Sequence, residues 1–286
     1  MNQASWRIFD DPAAFVEALG PMYLELEIRN CLPLSICRRL ADAGGDDRET
    51  LLYAARDGDV IAGAAVRTPE RNIVPFSGPR WDREDLLMLC DALISAGVDL
   101  PGVMGPASLA RAFATAWCDR RQTAPVVKME LGLYGLTEVR LEPGPGSLEK
   151  ALPGDSEFFW EWEKSFCIDC FGELQPHVTR EASERLLASG EVHFWKVDGE
   201  RVSMAASGRN TGRGAIVNLV YTPPARRGRG YASSIVSALS RRQLDSGLDY
   251  CTLFTDISNP VSNSLYRRIG YVYAGGFTEI AFLNGG

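Results

Sequence analysis

Two hairpins of one design do most to restrict what this chain can fold into. Asp57-Gly58 separates LLYAAR from VIAGAAV, and Asp198-Gly199 separates VHFWKV from RVSMAAS. An Asp-Gly pair between two apolar runs is a strong short-range signal for a tight antiparallel turn. The surroundings also recur. In the first half, helical stretches at roughly Pro12 to Leu19 and Tyr23 to Leu40 precede the hairpin, and NIVPF at 72–76 follows it as a strand. Helical patterns at about 82–96 and 107–120 then flank Gly-Val-Met-Gly, and VVKMELGLYGL reads as a strand. In the second half, Asp155 to Phe171 and Arg180 to Ser189 are helical, and AIVNLVYT is the strand after the hairpin. A helix at about 230–245, the strand YCTLFT, a helix at about 261–268 and the strand-like segments YVYAGG and FTEIAFL complete it. Glu142-Pro-Gly-Pro-Gly-Ser147 breaks any regular element between the halves. The expectation is an α/β chain with a mixed central sheet flanked by helices, in two tandem copies at 1–145 and 146–286.

Composition narrows the function classes. With 286 residues, 45% of them hydrophobic and 23% charged, the chain can bury a large core. A net charge of −7 argues against general binding to nucleic acid or to anionic membrane. No apolar run reaches a membrane span, and MNQASWRIFDD lacks the basic-then-apolar pattern of a signal peptide. The seven cysteines are odd in number and scattered, which suits reduced thiols in a cytoplasmic protein. No metal is expected: the lone Cys167-Ile-Asp-Cys170 lacks two further ligands, and it reads as buried helix thiols. Cys251, on an apolar strand, reads as core. The aromatics Phe158, Phe159, Trp160 and Trp162 either pack a helix onto the sheet or line an acceptor pocket.

One stretch breaks the acidic trend. Residues 201–240 carry Arg201, Arg209, Arg213, Arg226, Arg227 and Arg229 and no Asp or Glu, and Arg241 and Arg242 follow. This reads either as a solvated face or as a site for an anion. The local pattern favours the anion. In VNLVYTPPARRGRGYASSIVSAL a strand ends at Tyr221-Thr222, two prolines stop pairing, and Arg227-Gly-Arg-Gly230-Tyr-Ala232 opens a helix. Glycines at 228 and 230 let backbone N–H groups approach a phosphate, and the positive helix end favours it. Neither the dinucleotide G-x-G-x-x-G nor the NTP-binding GxxxxGK[ST] is present.

Arg227, Gly230 and Ala232 spell R-x-x-G-x-A, which resembles the pyrophosphate motif of the GCN5-related N-acetyltransferases. Asn259-Pro-Val-Ser262-Asn-Ser-Leu-Tyr266-Arg-Arg-Ile-Gly270-Tyr271 is similar to a second signature of that superfamily. The wording as a whole resembles bacterial predicted acetyltransferases with an FR47-like C-terminal domain and a tandem arrangement. This resemblance implies acetyl-CoA as acyl donor and an amine acceptor, small molecule or peptide. The backbone of Val220, Tyr221 and Thr222 would hold the thioester; Arg227, Gly228, Arg229, Gly230, Tyr231, Ala232 and Ser233 would wrap the pyrophosphate; Asn259 would reach the pantetheine. Tyr266 matches the position of the general acid that protonates the departing thiolate.

The general base is less determined. The strand AIVNLVYT carries no carboxylate, so Glu279 is preferred, with Asp256, Glu173, His177 or a water wire as alternatives. After its hairpin the first half has Arg67-Thr-Pro-Glu-Arg-Asn72, without glycines. It is therefore expected to be a degenerate copy that contributes to the acceptor site or to a homodimer surface. A non-catalytic acyl-CoA sensor and a transferase for longer acyl donors are the rival readings.

Overall fold

The structure is a computed structural model that describes residues 5–42, 51–57, 60–78 and 81–284. The first half runs β1 (Ser5–Ile8), α1 (Pro12–Glu25), α2 (Cys31–Asp42), β2 (Leu51–Asp57), β3 (Val60–Arg67), β4 (Val74–Pro75), α3 (Arg83–Ser95), β5 (Gly102–Pro106), α4 (Ala107–Arg121) and β6 (Thr123–Leu136). The second half runs β7 (Ser147–Lys150), α5 (Ser156–Phe171), α6 (Arg180–Ser189), β8 (Val192–Val197), β9 (Glu200–Asn210), β10 (Gly214–Tyr221), α7 (Tyr231–Asp245), β11 (Tyr250–Asp256), α8 (Pro260–Ile269) and β12 (Val272–Asn284). Both halves share one order of strands and helices.

Both hairpins form as antiparallel pairs, β2 with β3 and β8 with β9; Gly58 and Asp59 of the first turn lie outside the described residues. Three expectations change. The helix expected from Tyr23 is interrupted, with Gly20 at φ 69° kinking α1 and α2 starting afresh at Cys31. The segments YVYAGG and FTEIAFL are a single strand, because an irregularity between Tyr273 and Gly275 absorbs the glycines. The short strands β1 and β7 are too brief to show in the apolar pattern.

Strands β1-β2-β3-β4 form one sheet, and β5-β12-β6-β11-β10-β9-β8-β7 form another. A parallel bridge between Ile73 and Val103 brings the two edges together. The order of the larger sheet interleaves the two halves. β6, from the first half, lies between β11 and β12; β12, from the second, lies between β5 and β6. Twelve residue pairs join β12 to β6, from Val272–Gly135 to Asn284–Thr123. A boundary at 145/146 therefore does not separate the sheets, since each half places its last strand among the other's strands.

Side chains alternate across these strands, so each face takes its own cover. Val217, Cys251, Leu253 and Tyr134 meet α7 and α8 through Ile235, Val236, Leu239, Tyr266 and Ile269. Phe194, Met204 and Tyr221 meet α5 through Phe159. Nearer the middle, Ile216, Leu131, Leu133, Phe277 and Phe254 are covered by Cys31 and Ile28 of the first half. Burial of each large apolar side chain contributes about 2 kcal/mol, and the fully buried ones occur in both halves: Phe15, Phe76, Phe113 and Trp117 against Phe159, Phe194 and Tyr271.

Candidate active site

β10 and β11 start side by side and then part. Their parallel ladder joins Gly214–Tyr250, Ala215–Cys251 and Ile216–Thr252 and goes no further, although the strands run on to Tyr221 and Asp256. A bulge in the β9 pairing between Asn218 and Tyr221, with Leu219 at φ 50°, bends β10 away. The end of β10 is held from its β9 side. Ser203 Oγ donates to the Tyr221 carbonyl at 2.8 Å and lies 2.9 Å from Thr222 Oγ1. The edge facing β11 is left unladdered over Val217–Tyr221, a place where a ligand can pair with strand backbone.

Beyond β10 the chain passes a single 3-10 turn at Pro224–Arg226 and enters α7 through Gly230. Gly228 and Gly230 have φ 77° and 79°, the left-handed region that glycine alone enters cheaply. Gly230 is the N-cap of α7 and carries no side-chain cap; Ser233 and Ser234 both turn back to donate to its carbonyl, at 2.7 and 3.0 Å. The first-turn N–H groups of α7 are thus not met by a capping side chain, and residues 227–230 are exposed. Such a helix end attracts an anion.

The arginine stretch resolves into pairs. Arg201 meets Asp155, Arg213 meets Asp249, Arg226 meets Glu200 and Arg241 meets Glu142. Arg242 donates to His193. Arg227 holds the Thr222 carbonyl from Nε at 2.9 Å and pairs with Asp169 at the end of α5. Arg229 has no ion-pair partner among the described residues. The stretch is therefore mostly a set of cross-links, with Arg229 left free in the loop.

Tyr266 is 8% exposed, stands edge-on to Tyr271, and its hydroxyl has no hydrogen-bond partner among the described residues. Burial pushes its phenol above the usual value, and the nearby Cys170 adds to the effect. Cys170 is an exposed residue, not a buried thiol as expected, because it falls at the end of α5. Desolvation, Asp169 and Cys167 push its thiol up to about 11, while Arg227 opposes them and Asp256 adds to them. Arg227 thus ties Asp169, next to Cys170 at the end of α5, to the backbone just past β10, and Asn263 of α8 holds the Asp256 carbonyl at the end of β11.

The other expected residues fall at different distances from this point. Tyr231, Ala232 and Ser233 form the first turn of α7, and Val220 packs with the α7 core. Asn259 caps α8, its side chain accepting from Ser262 N at 3.1 Å. Glu279 lies apart: on β12 its cross-strand partners are Met104 and Met129, and Asn72 donates to its Oε1 at 2.8 Å. β6 stands between β12 and β11, so two strand spacings, about 10 Å, separate Glu279 from β11. The structure does not bring Glu279 and Tyr266 together. Asp256 does reach the site. Phe159, Phe158 and Trp162 pack onto Phe194 and Tyr221, whereas Trp160 lies on the outside under Lys164 and Arg180. Cys251 is fully buried.

Sequence reading missed Asn263. Its Nδ2 donates to the carbonyls of Asp256, Ile257 and Asn259, and its Oδ1 accepts from Tyr134. That single buried amide fixes the turn from β11 into α8 and hence the placement of Asp256. Its signal was an asparagine on the inward face of an amphipathic helix.

Residues 156–271, from α5 to the threshold of β12, match the family model described as the acetyltransferase (GNAT) family. This segment belongs to the GNAT family. Among characterised proteins, an Arabidopsis thaliana N-alpha-acetyltransferase MAK3 is 37% identical over 82 residues, 29% of this chain. The match spans 43% of that relative, under half of its length. The fold likeness extends to the whole chain. A Drosophila protein superimposes with TM-score 0.69 at 15% identity, covering 98% of this chain and 99% of its own. A GCN5-related N-acetyltransferase from Sphaerobacter thermophilus gives TM-score 0.62 at 17% identity, covering 100% and 98%. The GNAT segment thus sits within a larger architecture that other solved chains share. Among the described residues, no helix is long and apolar enough to cross a membrane.

Proposed function

We propose that the chain is an acetyl-CoA-dependent N-acetyltransferase with one donor site, in the second of two copies of the fold (1–145 and 146–286). The observation that carries this is the contrast between two helix starts. α7 opens on a bare glycine beside a parted pair of strands. α3, at the same place in the first half, opens on Asp82, whose carboxylate accepts from Asp85 N at 2.9 Å, while Asp85 accepts from Asp82 N at 3.1 Å. With Glu84 also in that turn, three carboxylates occupy the place of an anion and would repel a phosphate. The first-half loop that corresponds to the cradle is accordingly 76–82, between β4 and α3, rather than Arg67–Asn72. Its strand gap is filled as well, since a Cβ on Gly105 would lie 3.0 Å from Pro75 Cγ.

The residues present fit the donor. Gly228, Gly230 and the first turn of α7 would take the pyrophosphate, Arg229 would pair with phosphate oxygens, and the backbone of Val220–Thr222, apart from the Tyr221 and Thr222 carbonyls held by Ser203 and Arg227, would pair with the pantetheine arm. Acetyl-CoA supplies a thioester carbon open to attack. The acceptor nitrogen forms the new C–N bond as the C–S bond breaks in a ternary complex; nitrogen loses one proton and sulfur gains one. Tyr266 delivers the proton to sulfur and regains one from solvent. Of the candidate bases, Asp256 is at the site, and Glu279 is held by Asn72 at a distance.

Calorimetric titration with acetyl-CoA tests the reading. One site per chain is expected, two would show that the first half also binds, and none would overturn the proposal.

A further inference from the structure

We propose that Tyr134, on the strand that the first half lends to the second, is a positioning residue for acetyl transfer, holding α8 so that the Tyr266 phenol meets the thioester; this rests on the acetyltransferase reading above. Tyr134 is 2% exposed, stands near the end of β6 and lies outside the matched segment 156–271. Its backbone is paired on both sides, with Leu253 of β11 and with Tyr273 of β12. Its ring belongs to the core that includes Leu253, Tyr266 and Ile269, and it stands edge-on to Tyr273 at 5.6 Å between centroids.

The Tyr134 hydroxyl makes two hydrogen bonds, both with α8. It donates to Asn263 Oδ1 at 3.0 Å and accepts from Arg267 Nη2 at 3.3 Å. Asn263 and Arg267 are four residues apart, one turn along the same side of the helix, so a single oxygen sets both the height and the roll of α8. The other end of the Asn263 amide donates to the carbonyls of Asp256, Ile257 and Asn259 at 3.0, 3.2 and 2.8 Å. A buried amide engaged at both ends is stiff, and removing one partner loosens the rest. The first half thereby supplies a fixed point, inside the sheet, from which the turn after β11 and the start of α8 are hung.

Tyr266 depends on that fixed point. It lies three residues beyond Asn263 on the buried side of α8, with Ile269 three residues further on. Its hydroxyl has no hydrogen-bond partner among the described residues, so nothing at its tip aims the ring. The aim follows from where the helix stands. Proton delivery to sulfur needs hydrogen-bond reach, and a misplacement of about 1 Å can cost up to a hundredfold in rate. The glycine loop, by contrast, leads into α7 and takes no part in these contacts. Donor affinity and proton delivery are therefore set by different elements, and Tyr134 acts on the second.

The test uses the full chain and follows release of CoA thiol from bound acetyl-CoA in a single turnover, with water and then ethylamine as acceptor, since sulfur takes up its proton whichever acceptor attacks. Tyr134→Phe keeps the ring and its packing. It should slow release by about tenfold while the calorimetric Kd for acetyl-CoA stays within about threefold. In a Tyr266→Phe background the same change should cost less than about twofold, because the phenol it aims is gone. Arg267→Met, which leaves the bond to Asn263, should slow release by a smaller factor, and it serves in place of Tyr134→Phe if that variant does not fold. Amide exchange over residues 257–266 should rise in Tyr134→Phe, a readout that needs no turnover. A parental release rate, unchanged amide protection, or an equal loss in both backgrounds would overturn the assignment, the last by making Tyr134 a packing residue only. The underlying reading fails separately, through parental release by Tyr266→Phe or through no binding of acetyl-CoA by the parent chain.

Discussion

Arg227 donates its Nε–H to the carbonyl oxygen of Thr222 at 2.9 Å while the far end of the same guanidinium pairs with Asp169. One side chain thus joins the end of β10, the glycine loop and α5. A lysine keeps the charge but lacks the planar fork that makes both contacts. Arg227→Lys is expected to weaken acetyl-CoA binding by about tenfold, close to Arg227→Ala, measured by calorimetry. A lysine variant that binds like the parent would show that charge alone matters there.

Gly230 permits a sharper test. Gly230→Asp places a carboxylate at the N-cap of α7, where the first half carries Asp82, and forces an L-residue to φ 79°. The strain costs about 1–2 kcal/mol, and the charge opposes phosphate. Acetyl-CoA affinity should fall by about a hundredfold or more, whereas Gly230→Asn, which tolerates left-handed backbone and adds no charge, should fall in between. Similar losses in both variants would assign the effect to backbone conformation instead.

For Tyr266→Phe, the hydroxyl is removed from a buried ring that makes no hydrogen bond through it among the described residues. Folding and donor affinity should hold while kcat drops by about a hundredfold or more, as loss of a general acid requires. Turnover at the parental rate would leave the ring a packing role only.

His193 predicts a pH dependence of stability. It is 3% exposed, its Nδ1 lies 2.9 Å from the Glu191 carbonyl, and Arg242 donates to its Nε2 at 3.0 Å. Nε2 must be unprotonated to accept. Desolvation is the first reason its pKa lies below the usual 6.5, and Arg242 and Lys150 add to it. Below 6.5 the unfolded chain takes up a proton that the folded chain refuses, so stability is complete above that pH and declines as pH falls beneath it. Melting temperature should drop between pH 7 and about 5.5, and His193→Gln should flatten the slope across that window. An unchanged slope would place the acid sensitivity elsewhere.

Much of this was legible from local signals. The Asp-Gly hairpins, the α7 loop and α8 declare themselves because turn chemistry, glycine and helical periodicity act within a few residues. Arg180 to Ser189 is legible to the residue, since Thr179 caps it and Gly190 ends it. What stayed hidden depends on contacts distant in sequence. Nothing in VVKMELGLYGL says that its neighbours are β11 and β12, and nothing in FTEIAFL says that Glu279 will bind Asn72, 207 positions away. The partners of the arginine stretch were hidden for the same reason, because its acids are supplied from Glu142, Asp155, Asp169, Glu200 and Asp249. Asp256 was one candidate of several until the Asn263 contact to its carbonyl came into view.

The exchanged strands also impose an order of events on biosynthesis. β12 comes last of the described strands to leave the ribosome, yet it fills the slot between β5 and β6. Until it arrives, those two strands present unpaired edges and the apolar residues meant for Phe277, Ile280 and Phe282. The nascent chain must therefore carry an open seam from the completion of β6 at Leu136 until β12 begins at Val272, a period in which chaperones, or slow synthesis, would decide how much of it survives.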